Sequence, residues 1–158
     1  MLNSGSAGHT YGVNGVWQVN LPEQRFGKSP GGNDWGGTPW REAMNLPGSA
    51  QLSKAKAFLL KLPWHQLAPA TNIFTGAVSA ASTADGRCAL AYTTGGKPLT
   101  VELGKLKGSL NARWFDPTNG ELKAISGAPF TASDSHEFAP PTNNAAGDGD
   151  WVLLLEVK

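Results

Sequence analysis

Apolar residues change their spacing once along the chain, near Pro69. Before that point one segment has helical steps. Ser49 is a plausible cap, and Leu52, Ala55, Leu59 and Leu62 recur three and four residues apart, predicting a helix over about Ala50–Leu62 that Pro63 ends. Lys54, Lys56 and Lys61 fall largely off that face. Thr38-Pro39 reads as a cap and first helical residue of a short turn through Trp40–Asn45, which Pro47-Gly48 stops. Phe26–Gly37, "FGKSPGGNDWGG", is punctuated too often by Gly and Pro for helix or ladder.

After Pro69 the period becomes two. Strands are expected at Ala77–Ser82, Arg87–Thr93, Leu99–Leu103, Leu110–Phe115, Glu121–Ile125, His136–Phe138 and Trp151–Val157. Asp85-Gly86 is a hairpin signal between the first two. Short strands with frequent turns are the pattern of an antiparallel sandwich or barrel. Pro140–Gly149 is the one long break.

Composition narrows the function classes. The 158 residues suit one domain, or one domain and part of another. Only 16% are charged, and 20 glycines and 11 prolines favour strands and loops. The formal charge is +1 and basic residues are scattered, so no field steers nucleic acid or an acidic membrane surface. No run is long and apolar enough for a transmembrane helix, and no signal peptide is visible. The single cysteine, Cys88, excludes an intrachain disulfide and reads as a small core residue.

Candidate chemistry is sparse. Sugar-bond hydrolysis needs two carboxyl groups at a set separation, and none of Glu23, Asp34, Glu42, Glu102, Glu121 or Glu156 sits beside a second acid in an arguable buried setting. His9, His65 and His136 are too dispersed for metal-ligand spacing, so neither metal nor cofactor is expected. Asp134-Ser135-His136 has the residue types of a triad, but neighbours on a strand face opposite ways. Asn143, Asn144, Asp148 and Asp150 do not match a helix-loop-helix calcium loop; the default is a turn in which Asp150 satisfies backbone donors. Trp40, Trp64, Trp114 and Trp151 are expected in a core, while Trp17 and Trp35 are open candidates for stacking on sugars.

Several motifs together resemble the apiosidase-like glycoside hydrolases. "SGSAGHTYGVNGVWQ" is similar to the last strand and following loop of their catalytic barrel, and "PGSAQLSKAKAFLLKLPWHQLAP" to the final barrel helix and its exit. "ARWFDPTNGE" and "FAPPTNNAAGDGDWVLLLE" resemble the C-terminal sandwich that follows, which carries a collagen-binding label. The resemblance implies a mainly β chain: an antiparallel sandwich over residues 70–158, preceded over 1–69 by the last strand, loop and helix of a (β/α)8 barrel.

It also implies that the acid/base after the fourth strand and the nucleophile on the seventh lie before Met1, since no residue here matches either. His9, Tyr11 and Trp17 would then stand on the rim of a substrate pocket. The implied partners are a plant-type polysaccharide or oligosaccharide and the rest of the barrel, and the implied location is extracellular or periplasmic. A free-standing carbohydrate- or protein-binding sandwich is the alternative. Without barrel partners the helix is expected to dock on the sandwich through Phe58, Leu60 and Trp64.

Overall fold

A computed structural model of the chain describes residues 5–6, 8–28, 31–33, 36–131 and 135–157. Its elements are mainly antiparallel strands. Two compact units emerge: residues 10–53 form one, and residues 1–9 with 54–158 form the other.

The larger unit is a two-sheet sandwich. Ten strands are present among the described residues: β1 Leu67–Pro69, β2 Phe74–Thr75, β3 Ser79–Thr83, β4 Cys88–Thr93, β5 Leu99–Glu102, β6 Ser109–Phe115, β7 Leu122–Ala124, β8 Phe130–Thr131, β9 Ser135–Phe138 and β10 Trp151–Val157. One sheet runs β1-β3-β4-β10-β6-β7, with β8 also on β6; the other runs β2-β5-β9. The seven expected strands are all there. Three more were not foreseen, because β1, β2 and β8 have two or three residues each and exist only through their pairings. The ladder of β1 with β3 also draws Leu67, Ala68 and Pro69 into the sandwich, ahead of residue 70. Pro69 is tolerated because β1 is an edge strand.

Alternation along β10 explains the architecture. Trp151, Leu153 and Leu155 face the space between the sheets, with Ala89, Ala91, Leu110, Ala112 and Trp114 from the same sheet and Phe74, Leu99, Val101 and Phe138 from the other. Leu154 and Val152 face the opposite way, with Cys88, Leu90 and Phe115. Both faces of this sheet are therefore apolar. The second face is covered by residues from helix α2, Pro47–Leu59, and the turn after it: Phe58 and Leu62 are buried there, and Leu59 packs alongside. The Phe58 and Phe115 rings stack with centroids 4.0 Å apart and planes 12° apart.

The helix differs from its expected bounds. It begins at Pro47 and ends at Leu59, so Pro47-Gly48 opens it rather than stopping the turn before it. Proline lacks an N–H and has a fixed φ, which suits a first helical position. Only Phe58 of the three expected docking residues is buried; Leu60 and Trp64 are 61% and 46% exposed. Trp64 is therefore not the core residue expected, whereas Trp114 and Trp151 are.

Two polar devices hold the loops. In the β3–β4 turn, one Asp85 carboxylate oxygen accepts the Thr83 hydroxyl and the Arg87 amide, and Gly86 takes the positive φ that the turn requires. In the long 140–149 loop the organising residue is Asn144, not Asp150. The Asn144 side-chain oxygen accepts the amides of Ala146 and Asp148, and its nitrogen donates to the Asp150 carbonyl. Asp116 pins this loop from the end of β6: it accepts the Thr118 hydroxyl and the amides of Thr118, Asn119 and Ala145. The Asp150 carboxylate instead accepts the Tyr92 hydroxyl, whose pKa burial and this bond push up to about 12.

Phe58→Ala should remove the stacked ring from the outer core and cost about 3–5 kcal/mol, read by urea unfolding; a loss below 1 kcal/mol would mean that the helix does not hold this face. The second expectation concerns acid. Burial alone would raise the Asp116 pKa, but bonds from Thr118, Ala145 and Asn119 outweigh it and hold the carboxyl below its ordinary range. A depressed folded pKa contributes stability that is present above the ordinary carboxylate range near pH 4 and lost as pH falls through the folded value. Melting temperature should therefore fall on acidification below about pH 4, and less steeply in Asp116→Asn, which starts lower at pH 7. Equal slopes for the two proteins would remove Asp116 from the account.

Candidate functional site

The loop 10–38 of the smaller unit carries two of the three expected rim residues. Its backbone is wound by local bonds. Val16 and Trp17 amides donate to the Val13 carbonyl at 3.1 and 3.2 Å, and the Asn20 amide donates to Gly15 at 3.0 Å. Gly15 has φ +100°, and a β-carbon there would collide with the Thr38 carbonyl. Val19 has φ +54°, an unfavourable conformation for a β-branched residue.

Asn20 is what closes this loop. It is 1% exposed and its side chain is fully used. Nδ2 donates to the carbonyls of Gly36 and Thr38 at 3.2 and 3.3 Å, and Oδ1 accepts the Phe26 amide at 3.0 Å. Its carbonyl accepts the Trp40 amide, which opens the short helix α1, Trp40–Ala43. Thr38 was expected as the side-chain cap of this helix; instead Pro39 occupies the cap position, with no side-chain bond. Asn20 is a site residue that sequence reading missed. Its signal, an Asn between Val19 and Leu21-Pro22, is too ordinary to single out.

Tyr11 and Trp17 behave differently. Tyr11 is half-buried, and its hydroxyl donates to the Ala43 carbonyl at 3.0 Å. Its ring lies against Gly48. Most of its hydrogen-bonding capacity is therefore spent on positioning α1. Trp17 is 75% exposed, and its indole lies directly over Gly12, where any β-carbon would strike the ring. The sequence Gly12…Trp17 thus seats an indole with much of its surface in solvent. His9 is exposed and is grouped with the larger unit. Trp40 is half-buried, with the Arg41 guanidinium 4.6 Å from its ring centre. Asp34 and Trp35, two of the candidates, lie outside the described residues, as do Ser4 and Ala7 of the expected barrel strand.

The larger unit has a cleft of about 230 Å3 between the β3–β4 turn and the end of β10. Its polar lining is Gln66, Thr83, Asp85, Arg87 and Glu156, with Cys88 at its base. These groups are not poised for acid–base or nucleophilic chemistry. The Asp85 carboxyl is held below its ordinary range by the Thr83 hydroxyl first and the Arg87 amide second. Glu156 is paired with Arg113. Burial, with a smaller contribution from Asp85, pushes the Cys88 thiol up to about 11, far from a reactive thiolate. Among the described residues, the carboxyl groups with shifted pKa values, Asp85 and Asp116, are both shifted down. A general acid for sugar cleavage needs the opposite shift.

His136 packs its ring against Phe130 and Phe138 at 4.8 and 4.6 Å on β9. Asp134 lies outside the described residues. Among the described residues, no three His, Cys, Asp or Glu side chains are gathered as a metal site, and no helix is long and apolar enough to cross a membrane.

Known proteins give these surfaces a context. Residues 1–66 match the family model described as "Apiosidase-like, catalytic domain". Residues 70–156 match the one described as "Putative collagen-binding domain of a collagenase". No curated protein matches the chain. One similar solved structure, titled "Glycoside hydrolase", is 28% identical with a TM-score of 0.77; the match covers 98% of this chain and 34% of that one. Another, a glycoside hydrolase family 5 protein from Bacteroides vulgatus, is 25% identical with a TM-score of 0.78, covering 97% and 33%. The chain spans about a third of the length of these relatives. On a match covering more than half of its residues, the chain belongs to the family described as "Putative collagen-binding domain of a collagenase", preceded here by a stretch that matches the apiosidase-like catalytic-domain model.

Proposed function

We propose that the chain works as the C-terminal third of a sugar-cleaving glycoside hydrolase. The smaller unit supplies part of the pocket rim, and the sandwich is an accessory domain that packs on the barrel. The reading rests chiefly on coverage: relatives with that title align with nearly all of this chain but only a third of themselves. The order of the two family matches, catalytic then sandwich, supports it.

The chemistry is consistent with a supporting role. Cleavage of a glycosidic bond requires one carboxylic acid kept protonated and a second carboxylate across the bond. Asp85, Asp116 and Glu156 are each engaged by structural partners. In this reading the acid/base and nucleophile come from the rest of the barrel. Trp17 offers an exposed apolar face to a sugar ring of a plant-type polysaccharide or oligosaccharide. His9, exposed in the larger unit, offers ring nitrogens to sugar hydroxyls. Tyr11, with its hydroxyl on Ala43, positions the loop.

Two measurements test this. The chain alone should show no turnover of aryl glycosides or pectic fragments. Turnover that disappears on replacing one carboxylate of this chain would overturn the supporting role. Grafted onto the Bacteroides vulgatus relative in place of its aligned third, the chain should complete an active enzyme. In that graft Trp17→Ala should raise KM roughly tenfold, the equivalent of about 1.4 kcal/mol. An unchanged KM would take Trp17 off the rim, and retention of the isolated sandwich on fibrillar collagen would favour a free-standing binding module.

A further inference from the structure

The cleft beside the β3–β4 turn lies on the outer face of the larger sheet. Register places Cys88 opposite Glu156 there, one step beyond the row of Leu90 and Leu154 that Phe58 and Leu62 cover. Main-chain bonds fix its walls. The Val157 amide donates to the Arg87 carbonyl at 2.9 Å, and the Lys107 amide donates to the Gly86 carbonyl at 3.0 Å. The cleft is thus shaped before anything enters it, which lowers the cost of binding.

Its polar groups have capacity to spare. Asp85 receives both the Thr83 hydroxyl and the Arg87 amide on Oδ1, which leaves Oδ2. Glu156 meets Arg113 through Oε1, which leaves Oε2. The Gln66 side-chain nitrogen meets His65 Nε2, which leaves the Gln66 amide oxygen. Among the described residues the Arg87 guanidinium has no hydrogen bond or ion pair. Two carboxylates are therefore balanced by two guanidinium groups, those of Arg87 and Arg113.

That set selects a class of ligand. An anion would meet Asp85 and Glu156, and a bare cation would meet Arg87. A neutral molecule with several hydroxyls answers every group, because a hydroxyl donates to a carboxylate or amide oxygen and accepts from a guanidinium. Pro63, Cys88 and Val157 add apolar lining for C–H groups. Trp64 stands between the lining residues Pro63 and Gln66 and is 46% exposed, with an aromatic face to offer a ring. The volume of about 230 Å3 falls below the roughly 300–1,000 Å3 of sites for drug-sized ligands, so it suits one ring and not a chain of them. We propose that this cleft binds one neutral sugar residue, held by Gln66, Asp85, Arg87 and Glu156. The choice of a sugar among polyhydroxylated molecules rests on the reading of the chain as part of a glycoside hydrolase.

The test is an amide-resolved NMR titration of the whole chain with D-galactose, L-arabinose and D-xylose in turn, and with D-galacturonate as the charged counterpart. At least one neutral sugar should shift the Gly86, Arg87, Cys88 and Val157 amides saturably, with Kd on the order of 1–10 mM. Arg87→Ala and Gln66→Ala should each weaken that binding roughly fivefold or more. Unchanged affinity in both variants would overturn the site, as would the lack of saturable shifts with every neutral sugar, or tighter binding of galacturonate to the same amides. Shifts confined to the loop around Trp17 would place the sugar on the rim and overturn it too. An active graft onto the Bacteroides vulgatus relative, with no sugar bound in the cleft, would remove the site and leave the functional reading standing. A saturable cleft in a chain whose graft is inactive would support the site and count against that reading.

Discussion

The two-sided burial of β10 is the constraint on which the sandwich depends. This strand is the last in the chain, yet it pairs with β4 on one side and β6 on the other, at the centre of the larger sheet. Trp151, Leu153 and Leu155 supply one core and Leu154 the other. At roughly 1.5–3 kcal/mol for each large apolar side chain removed from water, these four residues make β10 a major contributor to both cores. Until β10 is in place, β4 and β6 lack the partner that joins them. The loop before it is accordingly tied down by Asn144 and Asp116, and the Trp151 indole donates to the Thr142 carbonyl.

A sheet that is apolar on both faces needs two covers. The small sheet β2-β5-β9 provides one. The other comes from Phe58 and Leu62, which belong to apiosidase-like sequence. The end of the catalytic-domain sequence thus completes the outer core of the sandwich. That packing gives a physical reason for the two family matches to occur together: the sandwich without the helix would expose Leu90, Phe115 and Leu154.

The smaller unit is built on a different principle. Few large apolar residues are buried in it, and Trp17, Phe26, Val19 and Met44 are exposed. Its described order comes from hydrogen bonds, with Asn20 serving three segments of one loop and Tyr11 holding α1. A polar hub of this sort fixes backbone positions without a large core, provided that every group on it is satisfied. It leaves the Trp17 ring largely in solvent.

The sequence by itself determined a mainly β, antiparallel chain, the positions of its seven principal strands and the Asp85-Gly86 hairpin. These rest on two-residue alternation and turn chemistry, which are local. Tertiary structure decided the rest. Alternation shows that β10 is apolar on both faces, but not which cover lies on which. The strands β1, β2 and β8 are too short to have a period and are defined by register with a neighbour. Pro47 looked like a stop and is a start, because proline is disfavoured inside a helix and welcome at its first turn. The same three-and-four spacing fits both faces of α2, so the pattern could not say which face meets the sandwich; the stacking of Phe58 on Phe115 settles it. Tyr11 and Trp17 were legible as aromatic loop residues, but only the fold shows one hydroxyl bound to a helix carbonyl and one indole turned to solvent. A side chain's role there depends on what stands three to five ångströms away in space, and the order of residues along the chain does not carry that information.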